Sequence, residues 1–390
     1  MADVGSFILF DTPERVLLHP FTYTRSIAEI RSGILTIKER WELLLKEKIQ
    51  ILSDDYLQEH YPPIPKGKKI FINAAVFPGE HVAEAITRLE DGEALLHNKM
   101  VLAFCSSRDD IRTINNAREF HPIHTRECTG TIASIRYPWD IVQLNGKAIV
   151  GDFQLLAGAG KSCIISGTNR VMGEEHIFIE EGAIVEHCIL NATGGPIYIG
   201  RNATVMEGTV IRGPFAMGEG AVLKMGTTIY GATTIGPYCM AGGEIKNSIM
   251  MGYSNKAHFG YLGDAVVGEW CNLGAGTSNS NVKNSASDIL MEIPGNGMVN
   301  AGLKCGLMMG DYSRCAIHTS FNTATFVGIA CNIFGEGLTP KRIPSFSWGY
   351  AGRYAFDKAI EHIQNWKKLK NQTITERETG ILEHLYKQLS

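Results

Sequence analysis

The spacing of apolar residues changes twice along this chain, and the changes divide it. From about residue 179 an aliphatic residue returns every sixth position. Ile179-Glu-Glu-Gly-Ala-Ile is followed by Val185-Glu-His-Cys-Ile-Leu, then Ile199-Gly-Arg-Asn-Ala-Thr, Val205-Met-Glu-Gly-Thr-Val and Ile211-Arg-Gly-Pro. Met217, Leu223, Ile229 and Ile235 open further units, and the beat returns at Val267-Gly-Glu-Trp-Cys-Asn and Leu273-Gly-Ala-Gly-Thr-Ser. A small residue usually sits four places after the aliphatic one. An amphipathic helix needs a period of 3.6, which this is not. Short strands joined by tight turns give such a pattern when a chain winds into a parallel β-helix, whose stacked coils share one core. Three hexads make a triangular coil of about 18 residues, stacked at ~4.8 Å. Residues 162–335 then predict roughly nine or ten coils.

On either side the pattern differs. Before residue 150, apolar runs at Phe7–Phe10, Lys69–Ile72 and Met100–Phe104 read as strands. Ile34, Ile37, Trp41, Leu44 and Leu45 fall on one helical face within Ile34–Lys46, and Val82, Ala85, Ile86 and Leu89 on another within His81–Leu89. Strands alternating with helices predict an α/β domain. After Pro344, residues 353–389 carry helical spacing at Ala359, Ile360, Ile363 and Trp366, then at Ile381, Leu382, Leu385 and Leu389. Such a tail is expected to pack along the β-helix or cap its open end. The predicted organisation is an α/β domain over 1–150, a β-helix over 151–345 and a helical tail over 346–390.

Composition sharpens the boundary. Of 42 glycines, 7 lie in residues 1–150, 33 in 151–350 and 2 beyond, so the glycine excess serves the turns of the repeat. Lys plus Arg is 37 against 40 Asp plus Glu, a net charge of −3, which argues against a dedicated nucleic-acid binder. There is no apolar run of membrane-spanning length, and the expected setting is cytoplasmic. Nine scattered cysteines without a C-x-x-C pair read as reduced, mostly buried thiols, and no metal site is expected from them.

A plain β-helix is a scaffold, so chemistry is sought where the beat breaks, between Gly242 and Asn281. That stretch collects Glu244, Lys246, Lys256, His258, Tyr261, Asp264, Asn272, Asn279 and Asn281. Glu244-Ile-Lys246, His258-Phe-Gly-Tyr261-Leu-Gly-Asp264 and Asn272-Leu-Gly-Ala275-Gly-Thr277 with Asn281 resemble the acetyltransferase half of the bifunctional N-acetylglucosamine-1-phosphate uridyltransferase/glucosamine-1-phosphate acetyltransferase family. That family joins a nucleotidyltransferase domain to a left-handed β-helix of the hexapeptide-repeat acyltransferase superfamily. The resemblance implies a homotrimer, and transfer of an acetyl group from acetyl-CoA to the amine of an amino-sugar phosphate.

The residue types suit that reaction. An acyl transfer to an amine needs a base near neutral pH, which points to His258 with Glu244 orienting its ring. Lys246 and Tyr261 would hold the sugar phosphate, Asn272 and Asn281 would orient the amine and sugar, and the backbone at Ala275 would meet the thioester oxygen of acetyl-CoA. The family's Arg-Pro phosphate grip finds two candidates, Arg212-Gly-Pro and Lys224. Residues 282–304 read as an insertion with Pro294-Gly-Asn-Gly as its turn, and the family's later lysine falls on Ser287. Asn279 reads as a ladder residue, Lys256 and Asp264 as a solvated pair, and His187 and His318 as ordinary histidines.

The N-terminal domain resembles sugar-phosphate nucleotidyltransferases more distantly. Their phosphate-cradling Gly-rich loop is absent, since no glycine occurs between Gly5 and Gly33. Pro20-Phe-Thr-Tyr-Thr-Arg25 and Gly33-Ile-Leu-Thr-Ile-Lys-Glu-Arg40-Trp41 echo the family, and Arg15, Arg25 and Lys38 are the basic residues to test for nucleotide phosphate contact. Mg²⁺ is implied if this domain is active. Tyr137-Pro-Trp139-Asp140, Gly252-Tyr-Ser-Asn-Lys256 and Pro344-Ser-Phe-Ser-Trp348-Gly are similar to a divergent, Bacteroidetes-type branch of the family. Two alternatives stay open on the residues alone: a non-catalytic nucleotide-sugar-binding regulator or scaffold, and an acyltransferase for a different amino-sugar nucleotide.

Overall fold

A computed structural model describes residues 5–158, 160–293 and 296–389. The Pro294-Gly295 half of the expected insertion turn lies outside the described residues. The chain folds as two units, one of residues 1–18, 24–30 and 35–137, the other of 19–23, 31–34 and 138–390.

The first unit is a mixed six-stranded sheet. Its strands are β1 (Ser6–Phe10), β2 (Gln50–Leu52), β3 (Lys69–Asn73), β4 (Glu93–His97), β5 (Met100–Ser106) and β6 (His124–Glu127), in the order β2-β1-β3-β5-β4-β6. β1 runs parallel to β2 and β3, whereas β5 is antiparallel to both β3 and β4. The apolar runs seen in the sequence are these strands, and Phe71, Phe104 and Phe120 stack across one face at 4.7 and 4.2 Å. Among the described residues, four α-helices belong to this unit: α1 (Ile37–Leu45), α2 (Asp55–Gln58), α3 (Glu80–Thr87) and α4 (Ile114–Arg118). α1 starts later than Ile34 because Thr36 caps it, taking the Glu39 N–H while the Glu39 carboxylate takes the Thr36 N–H. Trp41 is fully buried and donates its indole N–H to the Val76 carbonyl at 3.1 Å.

The second unit is a parallel β-solenoid of about ten turns, with side sheets of six, nine and ten strands. The repeat sets its register. Ile199 pairs Met217 and Met217 pairs Ile235 on one side; Ile211 pairs Ile229 and Ile229 pairs Ile245 on another. These side chains, all at or below 1% exposure, fill one continuous core. All nine cysteines are free, eight of them buried, as the scattered spacing predicted. The insertion forms an antiparallel hairpin, Leu290–Ile293 with Gly297–Asn300, after which the coil resumes.

Helix α5 (Pro138–Ala157) packs in this second unit, so the boundary between the units falls at Tyr137, ahead of the glycine boundary near Gly151. Asn145 and Asp152 on α5 accept the N–H groups of Gly33 and Ile34 at 2.6 and 2.9 Å. The tail forms α6 (Phe356–Lys368) and α7 (Glu376–Gln388), which lie along the solenoid. Their dock is a column of left-handed turn residues, where Tyr238, Tyr253 and Trp270 stack at 5.1 and 4.4 Å. Lys367 sits over the Trp270 ring at 4.7 Å, and Glu378 accepts the Tyr312 hydroxyl at 2.8 Å.

Candidate functional site

The six-stranded side of the solenoid lines up outward-facing residues from successive coils. Tyr230 pairs Lys246, Lys246 pairs Gly263, and Glu244 pairs Tyr261. Arg212 precedes Tyr230 in the same column, because Ile211 pairs Ile229. Arg212 and Lys246 therefore face one side two coils apart, roughly 10 Å by strand spacing. The Lys246 ammonium lies 5.4 Å from the Tyr230 ring centroid. The Tyr261 phenol leans over Gly263, where an added Cβ would collide with its oxygen. Burial, with the charge of Asp264, pushes that phenol up to about 12, so it stays protonated at neutral pH. It accepts the Asn281 amide at 3.1 Å, and Asn281 also donates to Asp264 at 2.5 Å.

His258 stands at the neighbouring corner, exposed, in the loop 257–260. That loop is sandwiched between glycine-rich turns. A Cβ at Gly242 would collide with the Ala257 carbonyl, and one at Gly260 (φ +117°) with the Thr277 carbonyl. Lys224 begins its side chain against Gly242, and Ala275 lies one coil past His258. The Ala275 N–H has no acceptor among the described residues, while its carbonyl takes the His318 N–H at 2.7 Å. Arg212, Lys224 and Lys246 make no ion pair with an acidic side chain among the described residues. Cations without an acidic partner on the face beside a corner histidine suit an anionic substrate.

Several expectations are corrected by this geometry. Glu244 does not touch the His258 imidazole; its carboxylate accepts the Tyr230 hydroxyl, and His258 makes no side-chain hydrogen bond among the described residues. Lys256 and Asp264 are not a solvated pair. Lys256 is 2% exposed and bonds to carbonyls, while Asp264 accepts amides from Asn247 and Asn281. Asn272 sits on the ten-stranded side, paired with Asn255 and Arg314, and apart from the Tyr261–Asn281 contact. Asn279 is a ladder residue as expected, clamping both backbone groups of Gly263 at 2.9 Å. The roles of Tyr230 and Lys256 emerge only in the folded chain. A tyrosine inside a hexad unit is the signal of the first in the sequence, whereas Lys256 lies where the beat fails and leaves none.

The N-terminal unit holds a separate cavity of about 440 Å³ beyond the ends of β1 and β3, lined among others by Glu14, Asn73, Lys99, Arg118 and Arg136. Arg15, Arg25 and Lys38 do not line it. Arg15 is buried between Asp11 (3.3 Å) and Asp54 (2.5 Å) and donates to the Arg25 carbonyl at 3.2 Å. Burial opposes its charge, but the carboxylates and Tyr56 outweigh that and hold the guanidinium above its ordinary value. Arg25 is buried, and Lys38 pairs with Glu42 one helical turn on at 3.3 Å. A Mg²⁺ ion bound through nucleotide phosphates needs only one or two carboxylates. Glu14 is the carboxylate lining this cavity.

The chain thus carries a mixed-sheet domain and a parallel β-solenoid, and the sheet domain and α5 match the sugar nucleotidyl transferase family over residues 7–160. The chain is similar in parts to proteins described as bifunctional. It is similar to the "Bifunctional protein GlmU" of Methanocaldococcus jannaschii, 32% identical over 107 residues, covering 27% of this chain and 26% of that protein. It is similar over a longer stretch to the "Bifunctional sugar-1-phosphate nucleotidylyltransferase/acetyltransferase" of Sulfurisphaera tokodaii, 26% identical over 227 residues, covering 57% and 49%. The "Bifunctional protein GlmU" of Methanococcus maripaludis is 25% identical over 242 residues, covering 60% and 50%. The matched region thus spans at most about half the length of these curated relatives. Among the described residues no helix is long and apolar enough to cross a membrane.

Proposed function

We propose that the solenoid transfers an acetyl group from acetyl-CoA to the amine of glucosamine-1-phosphate, and that the N-terminal unit transfers a nucleotidyl group to give UDP-N-acetylglucosamine. The observation that carries the first half is the set of cations without ion pairs among the described residues, Arg212 and Lys246 on the six-stranded face and Lys224 at the corner two coils before His258. Arg212 and Lys246 hold the sugar phosphate as positive groups on one face, with Tyr261 and Asn281 as hydroxyl and amide partners for the sugar. The amine attacks the thioester carbonyl and passes its proton to the His258 imidazole; the carbon–sulfur bond breaks and CoA leaves as the thiol once it has taken a proton. The free Ala275 N–H is a donor for the carbonyl oxygen as charge grows there. Glu244 acts on Tyr230 in this reading, and so on the Lys246 side of the site.

The second half rests on the match of residues 7–160 and on the cavity beside Arg118 and Arg136. Phosphates would be met there by side chains in place of a Gly-rich loop, with Glu14 available to a phosphate-bound Mg²⁺, which would neutralise charge on the transferred group. The solenoid is expected to assemble as a trimer around a threefold axis, a closed heterologous ring. A stable monomer in sedimentation at micromolar concentration would remove that expectation. The deciding measurement is thiol release from acetyl-CoA with a panel of amino-sugar phosphates. Release with glucosamine-1-phosphate supports the reading; release with none of the panel overturns it.

A further inference from the structure

Lys256 occupies a position that the other coils give to an apolar side chain. In the ten-stranded sheet Val185, Val205, Leu223 and Ala241 follow one another in register, Lys256 pairs Ala241, and Leu273, Cys315 and Ile333 continue the column. The side chain is 2% exposed and points into the core. Its ammonium donates to the Gly242 carbonyl at 3.0 Å and to the His258 carbonyl at 2.6 Å. Among the described residues the His258 carbonyl has no other donor. The same two turns are in tight packing, since a Cβ at Gly243 would come within 3.0 Å of the His258 carbonyl oxygen.

We propose that Lys256 is a positioning residue for His258: its ammonium ties the His258 peptide to the Gly242 turn and so fixes the imidazole at the corner beside Ala275. This inference rests on the acetyl-transfer reading of the corner. A buried ammonium held only by carbonyls is costly, and an aliphatic residue of similar length would fit the column with less penalty. Burial pulls the amine down to about 8, which registers that cost. The titratable group that faces it is Cys315, two coils on, whose thiol burial pushes up, and among the described residues no carboxylate pairs with the ammonium. The tether acts where the hexad beat fails, and it leaves the imidazole itself free for a substrate.

The test uses the full chain with Lys256→Met, which keeps length and removes the donor, and Lys256→Gln, which keeps an amide donor. Amide hydrogen exchange at Glu244 and Gly276, whose N–H groups donate to the Gly260 and Phe259 carbonyls of the loop at 3.2 and 3.1 Å, and steady-state acetyl transfer are measured in each. In Lys256→Met the exchange of these amides should quicken about tenfold or more, and kcat should fall roughly 10–100-fold with KM for the sugar phosphate little changed. Lys256→Gln should recover part of both losses. Unchanged exchange in a folded Lys256→Met protein would overturn the tether, whatever the activity. Faster exchange with unchanged kcat would overturn its role in positioning His258. If wild-type protein releases no thiol, the acetyl-transfer reading fails by itself, and exchange still decides the tether. Failure of both variants to fold would make Lys256 a structural support and overturn the proposal.

Discussion

The two candidate sites are built on opposite plans. The solenoid site draws on residues that the repeat brings into register: Arg212, Tyr230 and Lys246 occupy one column because their strands pair in order. The N-terminal cavity is assembled from segments scattered between Glu14 and Arg136, with no periodic relation. In the first, cations stand unpaired on a rigid face. In the second, the most conspicuous cation near the start of the chain, Arg15, is locked between Asp11 and Asp54. A charge in a repeat is legible as function because its surroundings are known from its phase. A charge in a non-repeating sheet domain has the same chance of being a brace.

The comparison can be broken most sharply at His258. Replacing it by alanine should lower kcat by about 10²–10⁴-fold, roughly 3–5 kcal/mol of barrier, with the fold intact. Thiol release at saturating substrates measures it, and a retained rate would remove the base from the corner. Next comes Arg15→Ala, which leaves Asp11 buried without its cation. The expected loss is about 3–5 kcal/mol in stability. Thermal melting that does not change would show that Arg15 is free for other work, and the contrast between brace and site would collapse.

A smaller effect is expected in the pH dependence of stability. Folded Lys256 releases its proton near pH 8, whereas in the unfolded chain it holds on to its ordinary value of 10.5. Between those values the unfolded state binds more protons, so stability rises with pH, by about 3 kcal/mol, and is level below the window. Urea melts of wild type minus Lys256→Met across pH 7–11 isolate that slope; a flat difference would mean the amine is solvated.

Lys246→Ala and Arg212→Ala should each raise KM for the sugar phosphate about tenfold or more with kcat nearly kept, because a charge contact acts alike on ground state and transition state. If only Lys246 behaves so, Lys224 becomes the second grip. Tyr261→Phe should cost least, roughly a few-fold, since one hydroxyl contact is lost. A change in kcat for Tyr261→Phe larger than that for His258→Ala would move the proton transfer to the phenol.

The amino-acid sequence by itself determined the solenoid and much of its site. A six-residue aliphatic beat fixes which side chains enter the core, since each coil buries its apolar residue only by stacking on the next. From that phase follow the register of Ile211 and Ile229, and the outward direction of Arg212. The segment from Gly242 to Gly260 loses the beat, and there only tertiary packing decided. It turned Lys256 inward, where two carbonyls, invisible as a pattern, satisfy its ammonium. It gave Glu244 to Tyr230 in place of His258, because pairing of neighbouring coils set those side chains together. In the N-terminal unit, Arg15 had no period to place it, and its partners Asp11 and Asp54 come from β1's end and the α2 cap, brought together only when the sheet forms. A repeat writes its contacts into local spacing; a site closed by distant segments leaves no such record.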